Sequence, residues 1–142
     1  MRAKRDLFYA WLAATLLSGI PSTVYALVTG GDALEATRAA GAMVGRPDSI
    51  VAAGAVHAAV SLFWTSLLWL VLPLKHTTLW ALAASAGIAV LDLRIIAPVF
   101  FPEIAALAFW PQFADHLMWG ACVGLPLEYR SRAASARSRS AD

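Results

Sequence analysis

Four apolar runs, at positions 7–28, 49–72, 78–98 and 104–127, decide most of what this chain can become. Each is about 20–24 residues long, and at about 1.5 Å per residue an α-helix of that length crosses a hydrocarbon layer of about 30 Å. Inside such a layer no water is present to take a backbone N–H or C=O, and a helix satisfies both within itself. Composition agrees: the chain is 60% hydrophobic and only 14% charged, with a mean hydropathy of +0.66, whereas soluble domains are about 25% charged. The expected fold is all-α, a four-transmembrane-helix bundle over 1–128. The Arg/Ser/Ala-rich segment 129–142 reads as a disordered basic tail.

Punctuation between the runs supports this division. Arg2, Lys4 and Arg5 followed by an apolar run and Val24-Tyr25-Ala26 resemble a secretory leader with its cleavage site. The run is nevertheless long enough to span, and it reads as a retained helix. Pro21 within it predicts a kink, because proline removes one backbone hydrogen bond that nearby Ser or Thr hydroxyls can replace. Gly30-Gly31 should stop this helix, and Asp32-x-x-Glu35 reads as a capping box opening a short helix over 32–43. That segment is too short to cross, so it is expected to lie at the outer interface. Pro73 closes the second run, and Pro98 and Pro102 turn the third into the fourth.

Orientation follows from where Lys and Arg fall. Three cations precede the first run, Lys75 sits in the turn at 74–77, and Arg130, Arg132, Arg137 and Arg139 follow the last run. Only Arg38 and Arg46 lie on the other side, so eight against two predicts both termini in the cytoplasm. Tyr9, Trp11, Trp69 and Trp80 near the inner face and Tyr25 and Trp110 near the outer form the matching aromatic belts. Seven of the eleven cations lie in the two membrane-flanking tails, and the net charge of +2 does not point to nucleic acid. The single cysteine, Cys122, excludes an intrachain disulfide framework and a CxxC motif. No phosphate-binding loop, dinucleotide fingerprint, nucleophile elbow or HExxH occurs, so no catalytic residue is assigned.

The informative residues are the polar ones inside the runs, since a charge at the bilayer centre costs about 2.5–3.5 kcal/mol even on the lenient insertion scale. Counted from the outer ends, His57 lies about 12 Å deep, Asp92 about 9 Å, Arg94 about 6 Å, and Asp115 and His116 about 16–18 Å. Helical spacing puts Gln112, His116, Gly120 and Gly124 on one stripe, with Asp115 beside it. Gly120-x-x-x-Gly124 is a small-residue contact motif, which turns that stripe toward protein. Gly54, His57, Ser61 and Thr65 share a face on the second run, Ser85, Ala89 and Asp92 on the third, and Thr15, Ser18 and Ser22 on the first. The candidate cluster is thus His57, Asp92, Arg94, Gln112, Asp115 and His116. Arg94 is expected to turn to Asp115 or to snorkel outward, and Asp92 to pair with His57 or His116. Short turns should make the second and third helices neighbours.

Three uses of such a cluster remain open: polar contacts that fix helix register in a structural or accessory subunit, a proton or substrate site in a small transporter, and a redox centre in which His57 and His116 ligate haem. No cofactor is required by any motif, and no close ligand spacing points to a metal. The expected partners are the lipid bilayer and either further copies or a larger membrane complex.

The stretch Ala114-Asp115-His116-Leu117-Met118-Trp119-Gly120-Ala121-Cys122-Val123-Gly124, followed by a basic tail, resembles a group of uncharacterised small four-helix bacterial inner-membrane proteins. Ser18-Gly19-Ile20-Pro21-Ser22-Thr23 and Asp32-Ala33-Leu34-Glu35-Ala36-Thr37-Arg38 are similar to that group's first span and first loop. The resemblance implies a multi-pass fold in a bacterial inner membrane and assigns no activity.

Topology is directly measurable. A reporter fused after Arg132 should show a cytoplasmic location; an alkaline phosphatase fusion active there would exclude the four-span arrangement.

Overall fold

A computed structural model describes residues 4–139, which are all-helical with no strand among them. Arg2 and the end of the tail, 140–142, fall outside the described residues, as do the side chains of Arg137 and Arg139. The chain runs through α1 (Lys4–Leu17), α2 (Ile20–Thr29), α3 (Glu35–Ala42), α4 (Ile50–Val71), α5 (Thr77–Leu91), a π-helical turn (Asp92–Ile96), α6 (Ala97–Phe100), α7 (Pro102–Ala105) and α8 (Phe109–Arg139). Three units are long and apolar enough to cross a membrane: Lys4–Thr29 with 26 residues, Ile50–Val71 with 22 and Thr77–Phe100 with 24.

Local chemistry explains the boundaries. Gly30 ends α2 at φ 71°, a left-handed conformation that only glycine takes without a Cβ clash, and the Gly31 N–H returns to the Ala26 carbonyl at 2.8 Å. Ser49 caps α4 by accepting from the Ala52 N–H at 3.1 Å. Leu72 is extended ahead of Pro73, as a residue before proline must be, and this closes α4.

Several boundaries differ from expectation. The first unit breaks at Ser18–Gly19, one turn before the proline, leaving Pro21 in the first turn of α2 where its missing N–H has no helical partner to lose. The capping box at Asp32 does not form. Instead the Asp32 carboxylate takes the Leu34 N–H at 2.9 Å and the Arg38 guanidinium, and the helix begins only at Glu35. The fourth helix begins at Phe109 rather than Ile104, which leaves Pro111 in its first turn, where the missing N–H costs no helical hydrogen bond; Pro126 lies inside it. It then continues to Arg139, through residues expected to be disordered; Ala and Arg are strong helix formers, and this stretch contains no breaker.

Packing centres on α8, which lies against α5 along most of its apolar length and against α1 and α2 on another face. α4 lies against α1 and α3 and makes little close backbone approach to α5, although a short turn joins them. The reason is side-chain size. Where α8 meets α5 the contact residues are small: a Cβ on Gly120 would stand 2.7 Å from the Ser85 Cβ and 2.9 Å from the Ala81 carbonyl, and one on Gly124 2.6 Å from the Thr78 Cα. On the α4 side the space is filled by Trp64, Leu68 and Trp69, which pack with Ile88, Trp119, Val123 and Leu127 into one apolar core. Between apolar helices in lipid such packing, rather than water exclusion, holds the bundle together.

The end of the bundle where α1 begins is tied by charge. The Arg130 guanidinium donates to buried Asp6 at 3.0 Å and covers the Tyr9 ring at 4.5 Å, joining α8 to α1. Glu128 accepts from the Thr78 N–H at 2.9 Å and so caps α5 from a neighbouring helix. The Thr78 hydroxyl and N–H, with Arg132 nearby, hold the Glu128 carboxyl below its usual range.

Glycine substitutions separate contact from composition. Gly120→Ala and Gly124→Ala should each cost about 1–3 kcal/mol by overpacking, read as thermal unfolding in detergent. Gly54→Ala and Gly87→Ala, which meet nothing within 4 Å, should stay at or above wild type. Equal effects at all four positions would exclude this helix crossing.

Candidate functional site

The polar side chains of the interior gather around the break between α1 and α2. Once the helix stops at Ser18, backbone groups on both sides need new partners. Ser22 and Thr23 turn their hydroxyls to the Gly19 carbonyl, at 3.2 and 2.8 Å. The Ser22 N–H, one of the unpaired donors at the start of α2, donates to the Asp115 carboxylate of α8 at 2.9 Å. A carboxylate here meets the positive end of the α2 dipole as well as a hydrogen-bond donor. On the other side, His57 of α4 places Nε2 3.1 Å from the Thr15 carbonyl and 3.3 Å from the Ser18 hydroxyl. A carbonyl only accepts, so Nε2 is the nitrogen that carries hydrogen.

A second polar pair forms at the π turn. Pro98 has no N–H for the Arg94 carbonyl four residues earlier, and the chain rewinds so that the Ala97 N–H reaches the Asp92 carbonyl instead. Asp92 then faces α8, where its Oδ2 lies 3.4 Å from His116 Nε2. His116 Nδ1 is 2.8 Å from the Gln112 carbonyl and must donate there. The Nε2–Oδ2 contact therefore needs one further proton, on the ring or on the acid. Either way the pair as a whole is neutral, which lowers the cost of placing it among apolar helices.

Beneath these lies an uncharged layer. Ser61 of α4 accepts from the Thr15 hydroxyl and from the Trp119 indole N–H, both at 3.1 Å, linking three helices through one oxygen. Trp11 donates to the Ala58 carbonyl at 3.0 Å. Ser18, Ser22, Ser61, Thr65 and Ser85 are all buried, and Cys122 is a small core residue.

The structure thus brings together only part of the expected cluster. Asp92 meets His116; Asp115 goes to α2, not to Arg94; His57 goes to α1, not to Asp92; and Gln112 contributes its carbonyl. His57 itself is exposed on the bundle surface, and Arg94 points outward over the Phe109 ring, 4.2 Å from its centroid. Sequence spacing missed the Ser22 N–H as the partner of Asp115. The signal was present in Gly19 and Pro21, which leave helix N–H groups unpaired close to where an acid on another helix must be buried.

Cofactor chemistry can be judged from the donors. Both ring nitrogens of His116 and Nε2 of His57 are engaged within the bundle, on different helix pairs. Among the described residues no three His, Cys, Asp or Glu side chains converge for a metal ion. At the α3 end a small open cleft of about 60 Å³ lies between α2, α3 and the start of α8, with Ser22 and Gln112 among the residues lining it. No family model, curated protein or solved structure matches the chain.

Asp115 is the test of this geometry. Asp115→Asn keeps an acceptor for the Ser22 N–H, whereas Asp115→Leu leaves that N–H unpaired and should cost about 1–3 kcal/mol more. Identical melting temperatures for the two variants in detergent would remove Asp115 as the cap of α2.

Proposed function

We propose that this chain is a four-span protein of the bacterial inner membrane, with both termini cytoplasmic, that serves as a structural or accessory subunit. Three apolar units supply three spans. A fourth span by α8 is supported by its packing along α1 and α5. Its lower apolarity comes from Gln112, Asp115 and His116, and the last two have partners inside the bundle. The Asp6–Arg130 contact brings the start of α1 and the later part of α8 to one end of the bundle, as an even number of crossings requires.

The accessory reading rests chiefly on one observation: Asp92, Asp115, His57 and His116 are each committed to a hydrogen bond that holds one helix to another. Groups used in this way fix register, and interhelical hydrogen bonds of this kind contribute about 0.6 kcal/mol on average. A second reading, a small transporter that carries protons or a substrate through the same residues, is favoured by the cleft that descends to Ser22 and Gln112. Broken helices beside ionisable side chains are the usual form of such sites.

The two readings part in proteoliposomes. The accessory role predicts proton flux equal to protein-free vesicles under an imposed pH gradient. Flux that is present in wild type and abolished in Asp115→Asn, with stability unchanged, would establish the transporter instead. The same preparation, made from haem-replete cells, is expected to be colourless; a Soret band lost in His57→Ala and His116→Ala would establish a cytochrome.

A further inference from the structure

Arg94, a charged residue within the third apolar unit, has no polar group as its partner among the described residues. It is exposed, and none of the ion pairs includes it. The acids nearest in sequence or on the facing helix are used elsewhere: Asp92 against His116 and Asp115 against Ser22. Its guanidinium lies over the face of Phe109, 4.2 Å from the ring centroid. Phe109 in turn stacks on Phe113, with centroids 5.6 Å apart and planes 28° apart, and meets the exposed Trp110 edge-on at 5.1 Å. Val99 and Phe100 are exposed apolar neighbours on the same segment.

A guanidinium carries its charge at every physiological pH, and its N–H donors lie in the plane of the group. With one face covered by an aromatic ring, the donors are left pointing along the platform instead of into it. A charge so placed at the rim of an apolar surface needs an anion at that level. In a bilayer the anion available there is the phosphate diester of a lipid, whose paired oxygens match the guanidinium fork. The aromatic rings suit the same depth, where headgroup and acyl chain meet.

We propose that Arg94, on the platform of Phe109, Trp110 and Phe113, is a seat for the phosphate of an anionic glycerophospholipid. Anionic lipid is specified because the choline ammonium of a zwitterionic lipid competes with Arg94 for the same phosphate. The assignment rests on the membrane reading above, and its test separates the two.

The full chain is inserted into nanodiscs of equal parts phosphatidylglycerol and phosphatidylcholine, then extracted into mild detergent, and retained lipid is counted by native mass spectrometry. Wild type should retain phosphatidylglycerol over phosphatidylcholine. Arg94→Gln should lower that retention about tenfold, the loss of one charge-assisted contact, while Arg46→Gln should leave it unchanged. Phe109→Leu, which keeps the charge and removes the ring, should also lower retention, and it decides the matter if Arg94→Gln does not insert. Equal retention by wild type and Arg94→Gln, or equal retention of the two lipids, overturns the proposal. Release of the lipid by inorganic phosphate would reassign the seat to a free anion and overturn it too. A chain that inserts but retains no phosphatidylglycerol ends this proposal and leaves the membrane reading standing; a chain that does not insert ends both.

Discussion

The carboxylate of Asp115 against the Ser22 N–H is the contact on which the interior of this protein turns. A helix interrupted among apolar neighbours exposes N–H and C=O groups that lipid cannot satisfy, and each unpaired group costs as much as a lost hydrogen bond. Here the break at Ser18–Gly19 is answered from both sides, by Asp115 of α8 on the N–H side and by His57 of α4 on the C=O side. The break thus ties α1 and α2 to the other helices. It also gives a half-buried carboxylate a helix N-terminus to face, so two costs offset one another.

The π turn repeats this logic at the far end of the third apolar unit. Pro98 withholds an N–H, the helix widens by one residue, and Asp92 and Arg94 part company. Asp92 reaches His116 and forms a neutral pair, while Arg94 turns outward onto a ring. Two prolines, at 21 and 98, thereby set where the polar groups of four helices meet. Away from them, packing is governed by size: Gly120 and Gly124 let α8 settle against Ser85 and Ala81, and tryptophans hold α4 apart from α5.

Where α1 begins, the same device recurs. Glu128 caps α5 through the Thr78 N–H, and Asp6 holds Arg130. Asp115 and Glu128, both on α8, each close the N-terminus of a different helix, so α8 serves as the post to which α2 and α5 are fixed. This arrangement explains why α8 can be the least apolar of the long helices and still lie among the others.

The all-helical class, the three membrane-length apolar units, the stops at Gly30-Gly31 and Pro73 and the small-residue stripe on α8 were legible in the sequence. Each depends on local physics: apolar length, proline and glycine conformation, and the 3.6-residue period. The partners of the polar residues were legible only in part, for a different reason. Spacing along a helix states which side chains share a face, but not which neighbour that face meets. Short turns suggested that α4 would lie beside α5 and bring His57 to Asp92; the bulk of Trp64 and Trp69 against the smallness of Gly120 and Gly124 decided otherwise. Nor does spacing show that a backbone N–H, here that of Ser22, is the acceptor's true partner, since a helix break releases it only after the chain has folded. The sequence by itself determined an all-helical chain with membrane-length apolar segments and charged residues that had to find partners. Only the tertiary structure decided which partners, because helix spacing is set jointly by side chains on different helices.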